Sequence, residues 1–201
     1  MSWPLHGLVL RTPDLELRGM TEADAAALEA VFPDDVGTDP ALTDIGHPVL
    51  QSYWRAMGSW TPADWELPFT VRHEGRLVGA QALEGKDFSV LRTVDTWSWL
   101  VPSARGHAWG QQMRAAVLSL AFGPLGAVRA VSSAYETNAA SLGVSWKLGY
   151  VDNGVDLHRD GDRVVRMQRL RLDARDWISP VPVEIEGVEE CLALLGAPPQ
   201  E

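Results

Sequence analysis

Residues 103–118 read SARGHAWGQQMRAAVL, a small and flexible run that passes straight into apolar residues at helical spacing. Helices usually start on Ser, Thr, Asp or Asn, whose side chains take up a free backbone N–H. This one is led in by Arg105-Gly106-His107-Ala108-Trp109-Gly110. The first turn of a helix leaves N–H groups without partners, and the helix dipole adds ~0.3–1 kcal/mol for a nearby negative charge. Together they form an anion site. Gly106 and Gly110 let the backbone approach a phosphate closely, and Arg105 sets a cation at the mouth. The same residues also read as a plain loop with two turning glycines. They are not a nucleotide P-loop, since no Lys-Ser or Lys-Thr follows. Nor are they a dinucleotide fingerprint, because Ala108 breaks the glycine spacing and no βαβ start precedes them.

Outward from this stretch, the chain divides into short elements. LVLRTPDLELR (8–18) reads as an opening strand or a bent pair. Thr21, followed by Glu22 and Asp24, caps a helix running towards Val31. A loop rich in Asp, Gly and Pro (33–48) precedes a helix over 48–58. LPFTVRH (67–73) and RLVGAQALE (76–84) form a hairpin at Glu74-Gly75, and VDTWSWL (94–100) is a further strand. In the helix after the loop, Met113, Val117, Leu120 and Ala121 share a face. AVRAVSS (127–133) is a strand. Asn138 opens a helix in which Leu142, Trp146 and Tyr150 align, and 155–172 holds two strands about Arg159-Asp160-Gly161-Asp162. The order predicts an α+β fold: a mixed, mostly antiparallel sheet of roughly six to seven strands flanked by about four helices. Residues 8–172 form the domain. The tail (173–201), with strand-like VPVEIEG and helix-like VEECLALLG, is a C-terminal extension packed on it.

A 46% hydrophobic fraction and nine Trp in 201 residues mark a globular chain with material for a core. The net charge of −10 argues against nucleic acid or an anionic membrane as partner, and it is compatible with a cationic or amine-bearing one. Cys191 is the single cysteine and the histidines lack ligand spacing, so no disulfide or metal site is expected. MSWPLHGLVL does not read as a signal peptide, and no apolar run reaches the ~20 residues of a membrane helix. A cytoplasmic location is the expectation.

The loop at 105–110 resembles the acyl-CoA pyrophosphate signature of the GNAT superfamily of N-acetyltransferases: Arg or Gln, two residues, Gly, one residue, Gly or Ala. Arg105 and Gly110 match it, while Ala108 stands where the family usually has Gly. Asn138-Ala139-Ala140-Ser141 and Lys147-Leu148-Gly149-Tyr150 resemble the family's later helix, Asn-x-x-Ser closed by Lys/Arg-x-Gly-Phe/Tyr. The resemblance is closest to the branch acylating protein N-termini, and DWELP, GAQALEGKDF, VDTWSWL and MRAAVLSLAF also resemble a mycobacterial subgroup associated with succinyl-CoA.

The resemblance implies acyl transfer from acetyl-CoA or succinyl-CoA, without a metal, to a primary amine of a protein N-terminus or small molecule, with a homodimer among its assemblies. It places the donor's pyrophosphate on the amides of Arg105, Gly106, His107, Ala108, Trp109 and Gly110. The pantetheine arm falls along Trp99 and Leu100, and beside Asn138, which also reads as a helix N-cap. Ser141 or Tyr135 would protonate the leaving thiolate. Asp95, which alternates with Trp97 and Trp99, and Glu84 are candidate bases, since a carboxyl among aromatic rings has its pKa raised. Trp54, Trp60, Trp65 and Trp97 are candidate walls of an acceptor pocket. Arg72, Arg92 and Lys86 are candidates to meet a donor carboxylate. A non-catalytic CoA-binding sensor of the same fold is the alternative.

Overall fold

The computed structural model describes residues 3–37 and 46–197. The opening segment is the bent pair, β1 (Val9–Arg11) and β2 (Glu16–Gly19). Helix α1 (Glu22–Glu29) begins at Thr21, whose hydroxyl accepts the Asp24 N–H while the Asp24 carboxylate accepts the Thr21 N–H at 3.1 Å. This reciprocal cap satisfies two orphan donors at once. Helix α2 (Pro48–Gly58) has no side-chain cap of its own. The Glu29 carboxylate at the end of α1 supplies one, accepting the N–H groups of Val49 and Leu50 at 2.9 and 3.1 Å. The loop expected over 33–48 lies partly outside the described residues.

Strands β3 (Trp65–His73) and β4 (Arg76–Gly85) turn at Glu74 and Gly75, both with positive φ, as a two-residue hairpin requires. A one-turn helix α3 (Phe88–Leu91), absent from the sequence reading, leads to β5 (Thr93–Leu100). Then follow α4 (Trp109–Phe122), β6 (Arg129–Tyr135), α5 (Ala139–Lys147), β7 (Val151–Asp160), β8 (Arg163–Asp173) and β9 (Glu184–Glu186). The sheet order is β7-β8-β6-β5-β4-β3-β2-β1-β9, nine strands among the described residues. The count exceeds the expectation because the opening segment supplies two strands and the tail adds β9 on the edge of β1.

Two other readings need correction. VEECLALLG forms a single 3-10 turn, Glu189–Cys191, and further turns instead of a helix. Its Leu194 and Leu195 carbonyls accept the indole N–H groups of Trp60 and Trp65 at 2.9 and 3.1 Å, so they point to side chains and not along a helix. In α5, Leu142 and Tyr150 are buried but Trp146 is half exposed and donates to Asp152. The helix stops at Lys147, and Gly149 at φ +91° turns Tyr150 into the core from a new direction.

Core packs on both sheet faces. Met113, Val117, Leu120 and Ala121 of α4 are buried as their spacing predicts, and Ala115, Ala116 and Leu118 are buried too, so the helix is enclosed nearly all round. Each such Leu or Val stabilises the fold by about 1.5–3 kcal/mol. On the other face, Ala25 and Leu28 of α1 and Val49 and Tyr53 of α2 cover Ala80 and Trp99. The one parallel pairing among the described residues, β5 with β6, is confined to Thr93–Arg129 and Val94–Ala130. Beyond it the two strands part, and this fork positions the site.

Candidate active site

The loop entering α4 offers its backbone outward. Among the described residues, no group accepts from the N–H groups of residues 106–110. Gly106 (φ +83°) stands in open space, and a Cβ at Gly110 would meet only Val144 Cγ2, at 3.6 Å. Internal packing therefore does not require glycine at 110. Ala108 is the helix N-cap at φ +61°, ψ 7°, a left-handed conformation that disfavours any side chain. The αL turn explains why a glycine suits this position. The Arg105 guanidinium is engaged: Nε donates to the Leu100 carbonyl at 3.0 Å, and the two Nη atoms fork onto Asp35. Those hydrogen bonds hold the Asp35 carboxyl below its ordinary pKa. Trp109 lies between His73 and His107, with ring centroids 4.2 and 4.9 Å away.

The loop leads into the fork. The Val101 N–H donates to the Val78 carbonyl, so by the alternation of an antiparallel ladder Trp99 is tied to β4. Ser98 and Leu100 turn their main chain to the fork. Of the two residues expected to line the donor's arm, Leu100 turns its main chain to the fork, while Trp99 is buried, edge-on to Phe32 at 5.2 Å, with its main chain on β4.

On the α1/α2 side, the fork adjoins a cavity of about 350 Å³ lined by Phe32, Tyr53, Trp97 and the carboxyls of Glu66 and Glu84, with Ser98 at its edge. Register puts Glu66 of β3 opposite Glu84 of β4, and Glu84 opposite Asp95 of β5. Three acidic side chains thus form a row across adjacent strands, where like charges in direct opposition repel. Burial, then the neighbouring carboxyls of Glu66 and Asp95, push Glu84 up to about 8, against the pull of Arg55. Burial also raises Glu66, against the Trp97 indole N–H that donates to it at 3.0 Å, and raises Asp95, against its bond from the Thr96 N–H at 2.6 Å. Glu66 carried no signal in its own neighbourhood; only the pairing of 66 with 84 reveals it.

The other candidates scatter. Asn138 is the α5 N-cap, its side chain accepting the Ser141 N–H at 3.0 Å. Ser141 is partly exposed on the first turn, and Tyr135 is 43% exposed at the end of β6. Ser141 lies on the α5 side, across the sheet from Glu84 and Asp95, whereas Tyr135 alternates with Ser132 and Ala134, which face α4, and so belongs to the strand face that carries Asp95. Among the tryptophans, only Trp97 and Trp99 line the cavity. Trp54 is exposed and donates to Glu22, while Trp60 and Trp65 hold the C-terminal tail. Arg72 pairs with Asp24, and Arg92 donates to the Leu125 and Gly196 carbonyls, so neither faces the fork. The cation that does is Arg114 of α4, 4% exposed, which donates to Ser98 on one arm and Ser132 on the other.

Residues 14–151 match the family description "Acetyltransferase (GNAT) domain". Among solved structures, RimJ of Mycobacterium smegmatis in complex with CoA-disulfide superposes with a TM-score of 0.70 at 19% identity, over 87% of this chain and 91% of that one. A putative ribosomal-protein-serine acetyltransferase from Vibrio cholerae gives 0.64 at 16%, over 82% and 97%. A spermidine N-acetyltransferase SpeG chimera from Vibrio cholerae and hSSAT gives 0.68 at 14%, over 81% and 96%. At these identities the structural likeness bears on the fold.

Proposed function

The chain belongs to the acetyltransferase (GNAT) family, and from that premise we propose that it is an N-acyltransferase moving an acyl group from acyl-CoA to a primary amine. The observation that carries this reading is the continuity of the site. Unpartnered N–H groups at 106–110 lead to a fork between β5 and β6, and the fork adjoins a cavity walled by aromatic rings and carboxyls. Each part answers one need: donor phosphates on the amides, the thioester in the fork, and an ammonium drawn to an acidic floor.

The amine must lose a proton before it attacks. Glu84, pushed up to about 8, is poised to take it near neutral pH, with Glu66 and Asp95 supplying the negative surroundings. The amine nitrogen then attacks the thioester carbonyl, whose oxygen is in reach of a fork-facing N–H such as that of Ser98. Ser141, on the opposite face, or Tyr135, at the end of β6, returns a proton to the sulfur. The donor is acetyl-CoA or succinyl-CoA. The acceptor is a protein N-terminus or a small amine; a neighbour in fold is named for spermidine, which is such an amine.

The test is thiol release by purified protein with acetyl-CoA and succinyl-CoA against a panel of amines and peptides, beside the melting shift produced by free CoA. Binding with turnover is the expected result. CoA binding without thiol release on any amine points to the sensor, and no binding of CoA or its thioesters refutes both readings.

A further inference from the structure

The helix side of the fork holds a charge that the protein itself leaves unanswered. Arg114 is 4% exposed, and among the described residues no carboxylate pairs with it. Its Nη1 reaches the hydroxyls of Ser132 and Ser145 at 3.4 Å and its Nη2 that of Ser98 at 3.3 Å, all long contacts, while Nε has no partner. The buried Tyr150 hydroxyl lies against the same guanidinium and interacts with both Arg114 and Thr96. The cluster is therefore a buried cation held by hydroxyls alone, with one guanidinium N–H left without a partner. A buried, unpaired guanidinium costs several kcal/mol, so such an arrangement persists where an anion is to be met. Asp95 of β5 is near enough to feel the field of Arg114, but it projects from the other sheet face and forms no ion pair with it.

The location indicates which anion. Ser98 and Ser132 stand on the two arms of the fork, beyond the last paired residues, Val94 and Ala130. Arg114 spans the gap between them. On the N-acyltransferase reading, on which this inference rests, the thioester lies in that gap. As the amine nitrogen, already relieved of its ammonium proton by Glu84, bonds to the carbonyl carbon, the carbon–sulfur bond breaks and its electron pair leaves on sulfur, while the nitrogen's second proton passes to water. We propose that Arg114 is a positioning residue which holds the Ser98 hydroxyl towards the donor sulfur, and that this cationic cluster receives the negative charge of the departing thiolate. Donors preset at the point where charge develops need no reorganisation during reaction.

The experiment titrates the thiol of free CoA bound to the protein, by thiolate absorbance, in wild type, Arg114→Lys, Arg114→Met and Ser98→Ala. The bound thiol should ionise about one pH unit lower in wild type than in Arg114→Met, roughly a tenfold difference in thiolate population. Arg114→Lys should fall between them, and Ser98→Ala should shift the same way as Arg114→Met with an unchanged Tm. Ser98→Ala carries the test should Arg114→Met fail to fold. Equal midpoints in wild type and Ser98→Ala overturn the proposal. It is also overturned if Arg114→Met loses only a preference for succinyl-CoA over butyryl-CoA, because the cation then serves the acyl chain. CoA binding is read separately as a melting shift. Normal binding with an unmoved titration defeats this inference alone, whereas a wild type that takes no CoA defeats the reading beneath it as well.

Discussion

Replacing Glu84 by Gln keeps the shape of the side chain and removes its titration. In the folded protein the carboxyl is pushed from 4.5 to about 8 by burial and by Glu66 and Asp95. Below 4.5 the folded and unfolded chains both carry the proton. As pH rises past 4.5 the unfolded chain releases it while the folded one holds it until about 8. Folding is thus penalised progressively across this window, and the penalty levels off above it. The full rise corresponds to a ceiling of about 5 kcal/mol. Half of that, at ~2–4 °C per kcal/mol for a chain of this size, is a gap of about 5–10 °C. Melting curves of Glu84→Gln and wild type should therefore nearly coincide at pH 5 and separate by pH 9, with the variant the more stable. If Glu84 is also the base, amine acylation falls about 10²–10⁴-fold, with CoA affinity retained. Melting temperatures that run parallel from pH 5 to 9 refute the buried, crowded carboxyl, whatever the activity does.

Ala108→Gly should raise stability. The left-handed conformation at φ +61° costs an Ala about 1–2 kcal/mol, against about 0.4–1 kcal/mol lost to the freer unfolded chain. The net gain of roughly 0.5–1 kcal/mol lifts Tm by about 1–4 °C, and an unchanged or lower Tm in calorimetry contradicts it. Gly110→Trp should abolish the melting shift produced by CoA while the protein stays folded by circular dichroism; an undiminished shift removes the loop from the donor site. Ser141→Ala and Tyr135→Phe each delete one candidate proton donor to sulfur. The one that serves should lower kcat about 10²-fold or more at constant CoA affinity, and two variants with wild-type kcat exclude both.

What the sequence made legible was local. The capping pair at Thr21 and Asp24, the turn at Glu74-Gly75, the Asn138 cap and the glycines before α4 each involve residues a few positions apart, and their chemistry is complete within that span. Ala108 was legible only as an alanine where the resembled family has glycine; its left-handed backbone came from the structure. The acidic row was not legible, because Glu66 gains its meaning only when β3 pairs with β4 in one register. Arg114 was hidden for a related reason. On a helix otherwise lined by Met, Ala, Val and Leu, it reads as the solvated side, and only the enclosure of α4 on all sides turns it inward. Trp60 and Trp65 misled in the opposite sense, since a tail more than a hundred residues away in sequence claims both indoles.

The pleat of β5 ties these pieces into one device. Successive residues point to opposite faces, so Asp95, Trp97 and Trp99 go to the α1/α2 side while Thr96 and Ser98 go to the α4/α5 side. Val94 holds the strand to β6 at the base of the fork. In the proposed reaction, the amine side needs carboxyls and rings, and the sulfur side needs hydroxyls backed by a cation. One five-residue run serves both because its alternation matches the two demands. A slip of one residue in the pairing of β4 with β5 would turn every side chain over, placing Asp95 against Arg114 and Ser98 over the acidic floor. The two would then neutralise each other as an ordinary buried ion pair. The register of Gly79 with Leu100 through Gly85 with Val94 keeps the carboxyl row and the guanidinium on opposite faces of a single strand, each facing its own half of the transfer.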